Sequence, residues 1–156
     1  MKVPDRGLVV SKIRNGTVID HITAGEAINV LRILGITGST TESLSIATNV
    51  ASRQGKKDIV KIENRELRRE EVDRIALIAP NATINIIRDY AVFEKKGVHI
   101  PEILVGVVRC PNPECISNTK EPIESTFEVL ENRVLRCKYC DWRILRLSRD
   151  LTGCII

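Results

Sequence analysis

Four cysteines in the last third of the chain have the spacing of a metal site. Cys110 and Cys115 form a Cys-x4-Cys pair, and after 21 residues Cys137 and Cys140 form a Cys-x2-Cys pair. Two tight loops that each present two thiolates suit the tetrahedral shell of a structural zinc ion and leave no ligand position open for water or substrate. Two disulfides or unrelated buried thiols are the alternative, which a reducing setting disfavours. The spacing therefore predicts one Zn²⁺ per chain.

A second group of polar residues lies in the first hundred positions and has the chemistry to bind an anion. Ammonium and imidazole groups donate to phosphate oxygens, and a carboxylate accepts from ribose hydroxyls. Successive side chains of a regular strand point to opposite faces, so Asp20 and His21 can share a ligand only where the strand ends or twists. Solvated surface residues are the plain alternative to a nucleoside triphosphate site. The group consists of Asp20, His21, Lys57, Lys61, Lys95 and Lys96.

Helices and strands of the first hundred residues follow from the apolar spacing. Ala27, Val30, Leu31 and Leu34 recur at i, i+3, i+4 and i+7, which predicts a helix that ends at Gly35. The same spacing, at Val72, Ile75, Ala76 and Ala79, predicts a second helix that Pro80 ends. Segments with strand character are 8–10 with 17–22 (two short strands or one bent strand), 44–50 and 57–63 as a hairpin, and 83–87 with 90–93 as the last strand.

The resulting order is β-α-β-β-α-β, which predicts an α+β, ferredoxin-like first domain with both helices on one face of the sheet. We expect this domain to span residues 1–100. Residues 101–156 contain short β-like runs at 103–108, 125–130, 134–137 and 142–147 and almost no helical pattern. A unit of this size buries too little apolar surface to fold unaided, so we expect a small all-β domain held by the zinc ion.

Charge and composition limit the function classes. The chain has 156 residues and a formal charge of +4; residues 1–100 hold 16 Lys and Arg against 12 Asp and Glu, and residues 101–156 hold 8 against 8. Aromatic residues make up only 3%, too few for stacking platforms that bind single-stranded nucleic acid. Neither a signal peptide nor a membrane span is evident, which favours a cytoplasmic location with no membrane partner.

Four sequence segments together resemble the regulatory chain of aspartate carbamoyltransferase, an enzyme of pyrimidine biosynthesis. They are 16–22, 57–64, 79–85 and the two cysteine pairs, and they occur in the family's order from about Val10 to Trp142. The resemblance implies an N-terminal domain that binds CTP or UTP as inhibitors and ATP as activator, and a C-terminal zinc domain that docks on catalytic chains. It also implies that regulatory chains pair, and that the chain has no catalytic activity of its own.

The resemblance also assigns roles by position. Asp20 and Lys61 would contact the ribose, and His21, Lys57 and Lys95 the triphosphate. This chain has Ser11 where family members carry an acidic residue, and Glu114 where Asn is frequent, while Asn112 and Tyr139 match. These two differences bear on nucleotide preference and on contacts to the catalytic chain. Around the base and sugar the resemblance places Val10, Ser11, Lys12, Ile13, Val18, Asn85, Ile87, Tyr90 and Val92.

Two other functions are compatible with parts of the sequence. The cysteine spacing and the basic pI of about 8.9 also occur in zinc-ribbon modules that bind nucleic acid, whose affinity falls steeply with salt. The basic excess lies away from the cysteines, which argues against that reading and predicts no nucleic-acid partner. An enzyme that uses Asp20 and His21 as an acid–base pair would need a nucleophile or an open metal position, and the sequence offers neither.

Overall fold

A computed structural model describes residues 12–36, 42–145 and 154. The chain divides after Val98 into two compact units, Met1–Val98 and His99–Ile156, called here the first and the second unit. The segment 8–10, for which the sequence predicts a strand, lies outside the described residues.

The first unit is a five-stranded antiparallel sheet with two helices. Counted along the chain, the strands lie side by side in the order second, third, first, fourth, fifth, so the first four strands and both helices form the predicted βαββαβ arrangement. Ile19, Val60 and Ile84 are fully buried on the sheet face that meets the buried residues of the helices. The elements are β1 (Gly16–Thr23), α1 (Ala27–Ile33), β2 (Leu44–Ser52), β3 (Gly55–Glu63), α2 (Arg69–Ile78), β4 (Thr83–Arg88) and β5 (Ala91–Gly97).

The prediction of one last strand across 83–93 is wrong. β4 and β5 are separate strands that pair with each other, and Arg88 lies opposite Ala91 at the end of the hairpin. Asp89 and Tyr90 form the two-residue turn, with φ of 50° and 66°. Left-handed φ at both turn positions matches the twist of a tight hairpin, so the chain reverses where the sequence reads as continuous β character. β5 is therefore an additional edge strand beside the ferredoxin-like core.

The helix ends agree with the sequence signals. Gly35, two residues beyond α1, has a left-handed φ of 70°, and Pro80 follows the end of α2. Arg68, at the N-cap of α2, is not a preferred capping residue, and Glu71 offsets this because its carboxylate accepts the backbone N–H of Arg68 at 3.1 Å. Neither helix in the described parts of the chain is long and apolar enough to cross a membrane.

The second unit is a small antiparallel sheet whose four strands pair in the order in which they follow along the chain, and its described residues contain no α-helix. Among its described residues, Val108, Phe127, Leu135 and Cys137 are fully buried. The strand predicted over 103–108 ends at Val105, because Gly106 has a left-handed φ of 70°. The strands are β6 (Ile103–Val105), β7 (Thr126–Val129), β8 (Leu135–Cys137) and β9 (Arg143–Ile144), with short 3-10 turns at Ile116–Asn118 and Glu131–Arg133.

Candidate functional site

A β-bulge in β1 changes the direction of Asp20 and His21. Ile19 pairs with Val60 and Ile22 with Asp58, so two residues of β1 lie opposite one residue of β3. His21 has a φ of 57°, and its backbone N–H donates to Asp20 Oδ1 at 2.6 Å. The sequence allows Asp20 and His21 to act on one ligand only at a strand irregularity, and the structure contains one at these two residues.

Asp58, which pairs with Ile22 just after this bulge, connects the β1–α1 turn to β2 and is not among the candidate residues named from the sequence. Its side chain is fully buried, and its Oδ2 accepts the backbone N–H groups of Gly25 at 2.9 Å and Ala27 at 3.0 Å. Its Oδ1 accepts the N–H of Asn49 at 2.9 Å, inside a second bulge in β2. A carboxylate among the apolar core positions of β3 is the sequence signal that could have revealed it, since a buried charge needs donors.

One row of paired residues crosses the sheet face opposite the helices. Lys61 pairs with Ser45 and with Val18, Val18 pairs with Asn85, and Asn85 pairs with Lys95. Directly paired residues of antiparallel strands share a face, so all five side chains lie on this open face. The Asn85 side chain donates to the Val18 carbonyl at 3.4 Å. Four of these residues, from four different strands, belong to the nucleotide set named from the sequence.

A charged cluster lies on the same face, next to the row. Lys57 Nζ is 2.9 Å from Asp20 Oδ1, and His21 Nδ1 is 3.2 Å from the Thr83 hydroxyl. Burial raises the pKa of Asp20, but the hydrogen bonds from Lys57 and from the His21 backbone outweigh it and hold this pKa below its usual value. Asp20 is therefore a carboxylate at neutral pH. Thr83 is absent from the set named from the sequence, and its pairing with Asp20 is visible only once the strand register is known.

The pKa of Lys61 is lowered. Burial disfavours the charged ammonium, and repulsion from Lys12 acts in the same direction, against the attraction of Asp20. An anion bound beside Lys61 would raise this pKa again, because it stabilises the charged ammonium, so the position favours an anionic ligand.

The other residues that the sequence assigns to the nucleotide site differ from one another in how far they are exposed. Ile13 and Ile87 are buried, with 4% and 8% of their surface exposed, so neither presents much area to a ligand. Tyr90 in the β4–β5 turn is exposed, as is Val92, which pairs with Ile87. Val10 and Ser11 lie outside the described residues.

The four cysteines of the second unit come together. Cys110 Sγ is 3.5 Å from Cys140 Sγ, Cys115 Sγ is 3.7 Å from Cys137 Sγ, and all four sulfurs lie within 4.8 Å of one another. Four thiolates at the usual Zn–S distance of about 2.3 Å in a tetrahedron have sulfurs about 3.8 Å apart. The donor set and its size therefore fit one zinc ion, as the spacing predicts.

Backbone amides support this cluster as they do in zinc knuckles. Burial raises the pKa of Cys110 and Cys137, whereas the Cys140 thiol, where the Trp142 N–H and the Asn112 side chain outweigh burial, has a pKa of about 7. Hydrogen bonds to sulfur orient the thiolates and offset part of their charge. The backbone donors are Asn112 to Cys110, Tyr139 and Cys140 to Cys137, and Trp142 to Cys140.

Each of the two units matches a domain of known proteins. Residues 8–99 match the family model described as the aspartate carbamoyltransferase regulatory chain, allosteric domain, and residues 102–147 match that of its metal binding domain. The regulatory chain from Methanoculleus marisnigri is 76% identical over 144 residues, which cover 92% of each chain. Those from Methanosphaerula palustris and Methanospirillum hungatei are each 64% identical, over 96% and 98% of this chain and 95% and 97% of theirs.

These matches cover nearly all of the chain and join an allosteric domain to a metal-binding domain with a four-cysteine cluster. Proteins of this name are the regulatory, non-catalytic partners of a catalytic chain. The chain belongs to the family of aspartate carbamoyltransferase regulatory chains.

Proposed function

We propose that the open face of the first unit binds nucleoside triphosphate effectors, CTP and UTP as inhibitors and ATP as activator. The observation that carries this proposal is the row from Lys61 through Val18 and Asn85 to Lys95, with the charged cluster of Asp20, His21 and Lys57 beside it. No helix of the first unit covers this face among the described residues. The sheet therefore offers cations, one carboxylate and a short apolar side chain to the same ligand.

The spacing of these groups suits an extended ligand. Lys61 on β3 and Lys95 on β5 are three strand steps apart, about 14 Å at the usual strand separation. A single phosphate cannot reach both ammonium groups, whereas a nucleoside with a phosphate chain can. In this proposal Asp20 and Lys61 contact the ribose, and His21, Lys57 and Lys95 contact the phosphates.

Calorimetric titration of the zinc-loaded chain with CTP and with ATP tests the proposal. A charge-assisted hydrogen bond contributes about 1.5 kcal/mol, so Lys61→Ala and Lys95→Ala should each weaken binding about tenfold. Lys96→Ala is the matched control, because Lys96 is adjacent to Lys95 but pairs with the buried Ile84 on the opposite face. Tight binding that is unchanged in both the Lys61 and the Lys95 variants would refute the site.

Binding controls the enzyme, in this proposal, by shifting a quaternary equilibrium between two states. An effector shifts such an equilibrium only by the difference in its affinity for the two states, usually 1–3 kcal/mol. No chemistry on the regulatory chain is required. A role in binding alone agrees with the open sheet face, whose described polar groups are suited to holding a ligand.

We further propose that the second unit docks on the catalytic chain. Large apolar side chains are exposed near the metal loops, among them Ile116, Tyr139 and Trp142, and on the edge strand β6, where Ile103 and Val105 are more than half exposed. Zinc removal should abolish co-elution with the catalytic chain and leave CTP binding by the first unit intact. Continued association after verified metal loss would contradict a zinc-held docking surface.

The first units of two regulatory chains are proposed to pair. The sheet ends in two edge strands, β2 and β5, and β2 exposes Ile46 while β5 exposes Val92 and Phe93. Unpaired, partly apolar edges favour association. Sedimentation equilibrium of the zinc-loaded chain should give the mass of a dimer, and a monomer at micromolar concentration would oppose this pairing.

A further inference from the structure

An open depression of about 400 Å³ lies beside the bulge of β1. It is lined by His21 and Lys57 and by the end of the β2–β3 hairpin, residues 51–54. Ser52 pairs with Gly55, so Arg53 and Gln54 form a two-residue turn. The Ser52 hydroxyl accepts the Gln54 N–H at 3.4 Å, and Gly55 has a left-handed φ of 112°. A turn this short limits where Arg53 can lie.

The depression carries positive charge, and Arg53 is the cation of its lining that has no carboxylate beside it among the described residues. Lys57 lies against the Asp20 carboxylate, which offsets its charge. Arg53 is exposed and forms no ion pair with any described residue, and none of the described lining residues is acidic. A guanidinium has five donors in a planar fork that matches two phosphate oxygens at once. The depression thus has an available phosphate-binding group in its lining.

We propose that Arg53 binds the terminal phosphate of the effector and makes the site selective for triphosphates over monophosphates. This inference rests on the proposed nucleotide site, since His21 and Lys57 belong both to the charged cluster and to the depression. A phosphate chain bound by His21 and Lys57 extends into the depression, where Arg53 meets its far end. A monophosphate ends before it reaches Arg53.

Titration of the zinc-loaded chain with CTP, CMP and inorganic tripolyphosphate tests this assignment. Arg53→Gln should raise the Kd for CTP and for tripolyphosphate about tenfold and change the Kd for CMP less than twofold. Arg53→Lys, which keeps the charge but not the fork, should give an intermediate loss for CTP. Lys56→Gln is the matched control, because Lys56 is in the same hairpin, carries the same charge and does not line the depression.

The outcomes separate this inference from the proposed function. Binding of CTP by the unmodified chain together with an unchanged Kd in Arg53→Gln would overturn the role of Arg53 and leave the nucleotide site standing. An equal loss for CMP and CTP, or an equal loss in Lys56→Gln, would show a general charge effect and would also overturn it. Failure of the unmodified chain to bind CTP would refute the proposed function, and the role of Arg53 with it.

Discussion

Replacement of Asp58 by asparagine should destabilise the first unit by about 2–4 kcal/mol. The buried carboxylate accepts three backbone N–H groups, from Gly25, Ala27 and Asn49, at 2.9 to 3.0 Å. An asparagine of the same shape retains one oxygen, so its NH₂ group faces at least one of these donors. Each lost hydrogen bond to a charged group costs about 1.5–3 kcal/mol, and the donor left without a partner adds about 1 kcal/mol or more.

Urea denaturation followed by far-UV circular dichroism measures this loss. With a slope of about 1–2 kcal/mol per molar urea for a unit of this size, the midpoint should fall by about 2 M. Asp89→Asn is the control: its side chain is 85% exposed, its one described ion pair is with Arg14 at 3.6 Å, and asparagine tolerates its left-handed φ. A loss below about 1 kcal/mol in Asp58→Asn would refute the view that this carboxylate holds the β1–α1 turn and the bulge of β2 together.

Three further predictions concern other parts of the chain. Thr17→Val should cost about 1–3 kcal/mol in urea denaturation, since the buried hydroxyl donates to the Arg65 carbonyl at 2.7 Å and accepts from the Leu67 N–H at 3.2 Å. Burial raises the pKa of Glu71, but hydrogen bonds and the Arg65 charge outweigh burial and lower this pKa. The stability that the Glu71 carboxylate contributes is therefore present at neutral pH and lost as the pH falls through its folded-state pKa. Urea denaturation across this pH range should show a flatter loss of stability on the acid side in Glu71→Gln. Chelation of zinc should shift the fluorescence of Trp142, the single tryptophan, while nucleotide binding persists; an unshifted spectrum after metal loss would contradict the metal-dependent folding of the second unit.

The elements with strong periodicity were predictable from the sequence. The stripe of Val72, Ile75 and Ala76 lies on α2 and is buried as expected, and the four cysteines converge as their spacing predicts. Local signals suffice for these features, because one amphipathic helix or one metal knuckle is specified by residues close in sequence.

The geometry of the open sheet face was not predictable in the same way. Asp20, His21 and Lys57 could be named, but the bulge at Asp20 and His21 depends on the register between β1 and β3, whose paired residues are distant in sequence. The β4–β5 turn escaped prediction for a related reason: Tyr90 has high β propensity, and its left-handed conformation is stabilised by a hydrogen bond from its N–H to the Arg14 carbonyl at 2.9 Å. Tertiary contacts override local preference in both cases.

The proposed ribose and phosphate contacts cannot by themselves distinguish an activator from an inhibitor. ATP and CTP share the ribose and the triphosphate, so Lys61 and Lys95 would contribute equally to both, and only a difference in affinity between quaternary states shifts the equilibrium. That difference has to arise where the ligands differ, at the base, and the side chains proposed around it that are exposed among the described residues are Lys12, Tyr90 and Val92. Lys95→Ala should therefore weaken ATP and CTP by similar factors, whereas Tyr90→Ala should change their ratio. Isothermal titration of both nucleotides against both variants measures these factors, and a Lys95→Ala chain with very unequal losses would place discrimination at the phosphate end instead.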